Sequence, residues 1–181
     1  MDRDEKLVQK LHNGDVASYM LVRDNPNDYS PFVLFYLGFG LFNSGYHEEG
    51  ATWYYVAQLR ARYDANRTLD KTTGAGVKVL SNRYGEKINK WAFEDPERVQ
   101  LVGKTAINFV AGNDEAYHPG WLVPHGIEAT RKAISGAKEY GDILEPRSKW
   151  PQIKAETIAT YLEGMEGAIT MLKELRAQEP Q

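Results

Sequence analysis

Residues 31–66 read PFVLFYLGFGLFNSGYHEEGATWYYVAQLRARYDAN, and this stretch decides the fold. Two helix-length patterns are separated by the polar turn Asn43-Ser44-Gly45. The first is apolar almost all round, with Phe32, Val33, Leu34, Phe35, Leu37, Phe39, Leu41 and Phe42, the mark of a buried helix. The second carries Gly50, Tyr54, Ala57 and Ala61 at offsets of three and four. Small residues on such a stripe let a neighbouring backbone come close, and Gly38 on the first helix offers the matching gap. A short connection makes the two helices antiparallel neighbours, so the expectation is a helical hairpin.

Working outward, residues 2–11 form an amphipathic pattern with Leu7, Val8 and Leu11 on one side, followed by a break at Gly14-Asp15 and a second short helix over 17–22. The turn-forming run 24–31 ends in Ser30-Pro31, a cap followed by Pro at the first helical position. Beyond the hairpin, 67–84 reads as a helix that Gly85 breaks, and Ile88, Trp91 and Ala92 as a short helix of their own. Asp95-Pro96-Glu97 is a helix start, with Val99, Val102, Ala106, Phe109 and Val110 as its stripe. Residues 113–126 are the longest irregular stretch, a short helix is expected over 127–134, and 136–149 is a loop. Ser148 and Pro151 open a final helix whose stripe, Ile158, Tyr161, Leu162, Met165, Ile169, Leu172 and Leu175, is the most regular in the chain. No sustained two-residue alternation occurs. The expected fold is all-α, one compact multi-helix domain over 1–181.

The composition narrows the function. A hydrophobic content of 42% in 181 residues supports a real core. A net charge of −3 with interspersed signs argues against nucleic acid or an anionic membrane as partner. With no cysteine, disulfides, thiolate metal sites and a Cys nucleophile are excluded. The charged N-terminal run is no secretory signal and no segment reaches membrane-spanning length, so the expected location is the cytoplasm.

Few residues carry chemistry. Glu115-Ala-Tyr-His118 has the Glu-x-x-His spacing of a carboxylate metal site, but stands alone, in a loop, before Pro119; His118 and His125 flank Trp121. Hydrogen bonding within the loop is the plainer role for the histidines. Gly74-Ala-Gly76 lacks the third glycine and the preceding strand of a dinucleotide loop. No cofactor and no metal are expected. Arg60, Arg62, Asp64, Asn66, Arg67 and Asp70 cluster at the end of the second hairpin helix, with Arg60 and Asp64 at ion-pair spacing. Such a group either ties a helix junction or docks an acidic partner. Trp53, Tyr54, Tyr55 and Tyr63 lie on the same helix; those that miss the core are binding anchors. Glu156, Glu163, Glu166 and Glu174 mark a solvated face of the last helix.

Leu37-Gly38, Leu41, Gly45, Gly50, Tyr54 and Ala57 resemble one tetratricopeptide or Sel1-type repeat, with Gly50 where Ala is usual and Arg62 where a helix-ending Pro would stand. More broadly, ATWYYVAQLRARYDANRTLD, LSNRYGEKINKWAF and YHPGWLVPHGIEA, within residues 31–129, resemble small bacterial proteins that act as immunity proteins in interbacterial toxin systems, type VI secretion among them. That resemblance implies a cytoplasmic, non-catalytic protein that binds and neutralises a cognate toxin. Trp53, Tyr55, Arg60, Arg62, Asp64, Arg67, His118, Trp121 and His125 are then the candidate partner-binding residues. Two alternatives stand beside it. One is an enzyme, with or without a metal, using Glu115, His118 and His125 of the 113–126 loop. The other is a structural subunit of a helical homo-oligomer.

Overall fold

A computed structural model describes residues 3–125 and 143–178, the side chains of 123–125 excepted. Among the described residues there are seven α-helices and no strand. They are α1 Arg3–His12, α2 Val16–Asp24, α3 Pro31–Asn43, α4 His47–Asn66, α5 Gly74–Phe93, α6 Pro96–Gly112 and α7 Trp150–Ala177. The fold is all-α. The helix expected over 127–134 lies outside the described residues.

The expected hairpin is α3 and α4, joined by a three-residue connection that turns at Gly45, φ 92°. The close approach lies where the small residues placed it. A Cβ on Gly38 would sit 2.6 Å from the Tyr54 backbone nitrogen and 2.8 Å from the Gly50 carbonyl oxygen. A Cβ on Gly50 would meet the Phe42 nitrogen at 2.5 Å and the Gly38 carbonyl oxygen at 2.7 Å. Both contacts are with backbone, which cannot swing aside as a side chain does.

Helix α4 is the central strut. It packs against α3, α5, α6 and α7, and Ala51, Tyr54, Val56, Ala57, Leu59 and Ala61 are buried in these contacts. That is why its sequence shows no clean polar face along most of its length. Helix α6 starts as expected: the Asp95 carboxylate accepts from the Glu97 N–H at 3.0 Å, with Pro96 in the first turn. Helix α7 buries Tyr161, Met165 and Ile169 against α4 and α6, and leaves Glu156, Glu163, Glu166 and Glu174 exposed.

Four features of the helix ends differ from the expectations. α4 is followed by a 3-10 turn, Lys71–Thr73, and α5 begins only at Gly74. α5 then runs straight through Gly85, because that position faces the Tyr54 ring and hydroxyl of α4; the glycine is there for space, not as a break. The Ser30 side chain does not cap α3 but donates to the Asp4 carboxylate of α1, and its carbonyl accepts from the Val33 and Leu34 N–H groups at 3.0 and 3.2 Å. Helix α7 begins at Trp150, after the turn Arg147–Lys149. No described helix is long and apolar enough to cross a membrane.

The Gly38–Gly50 contact yields a paired expectation. Gly50→Ala forces two backbones apart and should lower the unfolding free energy by about 3 kcal/mol, the upper end for overpacking. Gly167→Ala, where nothing lies within 4 Å of the added Cβ, should raise it by about 0.5–1 kcal/mol. Urea denaturation of both variants checks the sign difference.

Candidate functional site

The charges at the end of α4 turn inward. Arg60 and Asp64 are fully buried and Arg67 nearly so. Asp64 is paired with Arg67, not with Arg60 as the local spacing predicted: its Oδ1 accepts from Arg67 Nε at 3.0 Å and Nη2 at 2.5 Å. Its Oδ2 accepts from the Tyr117 hydroxyl at 3.0 Å and from Trp121 Nε1 at 2.7 Å. Every lone-pair direction of this carboxylate is thus used. Burial pushes the Asp64 carboxyl up to about 6, against the opposing pull of Arg67, Trp121 and Tyr117. Burial works against the Arg67 charge, but the Asp64 carboxylate, together with Tyr117 and Tyr63, more than compensates and the guanidinium is held protonated. Its face covers the Tyr63 ring at 4.1 Å and the Trp150 ring at 4.5 Å, linking α4 to the start of α7.

Arg60 points the other way. It donates from Nη1 to the Pro26 carbonyl at 3.1 Å and from Nη2 to Asn27 Oδ1 at 2.5 Å, and lies 5.1 Å over the Phe109 ring. Its Nε faces Glu115 Oε1 at 3.9 Å, beyond hydrogen-bond reach, so that pairing is coulombic. Lys154 of α7 lies 3.5 Å from the same oxygen and also donates to the Asn113 carbonyl at 2.9 Å. Two buried cations, Arg60 and Arg67, are therefore matched by two buried carboxylates, Asp64 and Glu115. The set stitches α4 to the turn before α3, to the 113–121 segment and to α7. Its chemistry is that of a scaffold.

The sequence-derived candidates accordingly separate. Arg60, Asp64 and Arg67, candidates for docking a partner, are corrected to the helix-junction role, because all three are buried and pair inside the fold, although the Arg60 Nε makes no hydrogen bond. Tyr55 is also buried, donating its hydroxyl to Asn89 Oδ1 at 3.0 Å. Trp53 is half-buried against Phe109, with ring centroids 5.3 Å apart. Trp121 is half-buried and tied to Asp64. Arg62 and His118 are exposed; the His118 Nδ1 accepts the Gly120 N–H at 3.0 Å, a loop-stabilising role. The His125 side chain lies outside the described residues. No group of three His, Asp or Glu residues among the described ones is arranged to hold a metal ion.

A surface feature absent from those candidates lies at the other end of the molecule's sequence. Val16, Met20 and Tyr46 are 69%, 58% and 62% exposed, and with Tyr19 and Leu41 they line a groove of about 350 Å³ between α2 and the α3–α4 turn. Val16 and Met20 are one helical turn apart on α2. Arg23 and Glu49 pair at 2.8 Å on its rim. The signal in the sequence was the Val16–Met20 spacing of four on a helix too short to bury both faces.

No family model matches the chain, and no solved structure matches it. An uncharacterized protein of Haemophilus influenzae is 26% identical over 144 residues, which cover 75% of this chain and 54% of that protein. The chain thus spans about half the length of this relative.

Removing the Asp64 charge leaves Arg67 buried and unpaired. Asp64→Asn should therefore cost about 3–5 kcal/mol in denaturant unfolding. In the double variant with Arg67→Met the loss should fall well short of the sum of the two single losses, since both report one interaction.

Proposed function

We propose that the chain is a non-catalytic protein-binding domain, an immunity protein that neutralises a cognate bacterial toxin in the cytoplasm. The observation that carries the binding reading is the exposed apolar groove of Val16, Met20 and Tyr46. Large apolar side chains gathered on the surface mark contact sites for another macromolecule. A thioether and a phenol ring adapt to varied shapes while contributing apolar area, and Tyr46 can add a hydrogen bond at the rim. The partner chemistry that fits is an apolar side chain or helix turn entering the groove, with charged residues meeting Arg23 and Glu49 at its edge. The toxin assignment rests on the resemblance of residues 31–129 to immunity proteins. Tyr19 of the groove packs against Gly40 of α3 and donates its hydroxyl to the Leu11 carbonyl at 3.1 Å, which fixes that wall beforehand and limits the ordering cost of association.

The test is co-production with the product of the adjacent gene. The expected outcome is a stoichiometric complex and restored growth. Met20→Glu and Tyr46→Ser should each weaken the complex by about tenfold or more, that is ~1.4 kcal/mol, with the unfolding midpoint unchanged. Failure to form a complex or to protect cells, or a complex indifferent to both substitutions, contradicts the reading.

A further inference from the structure

An open cleft of about 500 Å³ lies between the C-terminal half of α4, the first half of α5 and α7. Two cations line it, Arg62 of α4 and Lys78 of α5, and no described carboxylate does. Neither has an acidic residue three or four positions away along its own helix. The positions three and four residues from Arg62 are Gln58, Leu59, Ala65 and Asn66; those around Lys78 are Gly74, Ala75, Ser81 and Asn82. Arg62 has its guanidinium 5.0 Å over the Tyr161 ring and forms no ion pair with a described residue, and neither does Lys78. Some exposed cations elsewhere on this acidic chain do have an acidic partner, as in Arg23 with Glu49 and Lys149 with Glu145. Uncompensated like charges around a concave surface concentrate positive potential there and attract an anion.

The floor of the cleft is held in one arrangement. Tyr161 donates its hydroxyl to Gln58 Oε1 at 2.9 Å, Gln58 Nε2 donates to the Tyr54 hydroxyl at 3.3 Å, and that hydroxyl donates to the Ser81 carbonyl at 3.0 Å. The side chains of Ser81, Asn82 and Thr160 line the cleft without a hydrogen bond to described protein groups. The geometry points to a binding site for a phosphorylated, hydroxyl-bearing small molecule of sugar-phosphate size. Arg62 presents the planar fork that matches phosphate, and Lys78 adds a mobile point charge. The amide and hydroxyl groups of Asn82, Ser81 and Thr160 suit the ligand's hydroxyls. The cleft wall is mixed, with the Tyr54 and Tyr161 rings, Val77 and Ala65 supplying its apolar part, and its size falls within the range of small-molecule sites. This site is separate from the groove of Val16, Met20 and Tyr46.

Calorimetric titration of the full chain with ribose 5-phosphate, inorganic phosphate, citrate and ribose tests it. Saturable binding of ribose 5-phosphate is expected, tighter than inorganic phosphate and weakened by salt, with no binding of ribose. Lys78→Gln, at an exposed position that leaves the fold intact, and Arg62→Gln, which keeps a stem over Tyr161, should each weaken it about tenfold. Met20→Glu should leave it unchanged, so this result and the toxin-binding result fail independently. Absence of saturable binding to ribose 5-phosphate overturns the site, as does binding indifferent to both cation variants. Citrate binding as tightly as ribose 5-phosphate overturns the assignment to phosphate.

Discussion

One carboxylate with no access to water organises much of this molecule. Asp64 sits near the end of the central helix and receives donors from Arg67, Tyr117 and Trp121. An ionised group taken out of water is tolerated only when its surroundings replace the lost hydration. Supplying those donors obliges the chain to bring the segment after α6 back across α4. It also places Arg67 where its face meets Trp150 as α7 begins. The backbone confirms the convergence: the Leu69 N–H donates to the Ile143 carbonyl at 2.9 Å and the Glu145 N–H to the Arg67 carbonyl at 2.8 Å. Irregular segments that would otherwise be free loops are thereby fastened to the helix that the rest of the core surrounds.

The fastening works because α4 is itself fixed. Gly38 and Gly50 let α3 settle against it at backbone distance, and Gly85 makes room for Tyr54 on the α5 side. Tyr54 thus bridges two close approaches, which is why it is fully buried although it carries a hydroxyl. Small residues on three helices and one large ring between them set the spacing of the bundle.

Much of this was legible in the sequence. The hairpin showed in the apolar run 32–42 and in the small-residue stripe at Gly50, Ala57 and Ala61. The start of α6 showed in Asp95-Pro96-Glu97. The site was less legible for a definite reason. Helical spacing puts both Arg60, four residues before, and Arg67, three residues after, within reach of Asp64, so it could not decide between them. The donors that complete Asp64, and the carboxylate that faces Arg60, come from more than fifty residues further along and carry no local pattern. Gly85 was ambiguous for a similar reason, since a helix-weakening residue and a packing gap look alike until the partner ring is in place. Turning the α4 charges inward moves attention for binding to the apolar groove beside α2 and to the cationic cleft between α4, α5 and α7.

The most direct test of the Asp64 network is hydrogen exchange at the Trp121 indole N–H, followed by NMR in the native protein. Bound to a buried carboxylate at 2.7 Å, it should exchange only through opening of the fold, orders of magnitude more slowly than an exposed indole. Exchange at the rate of an exposed indole would show that the segment is not anchored on Asp64 and would contradict the account.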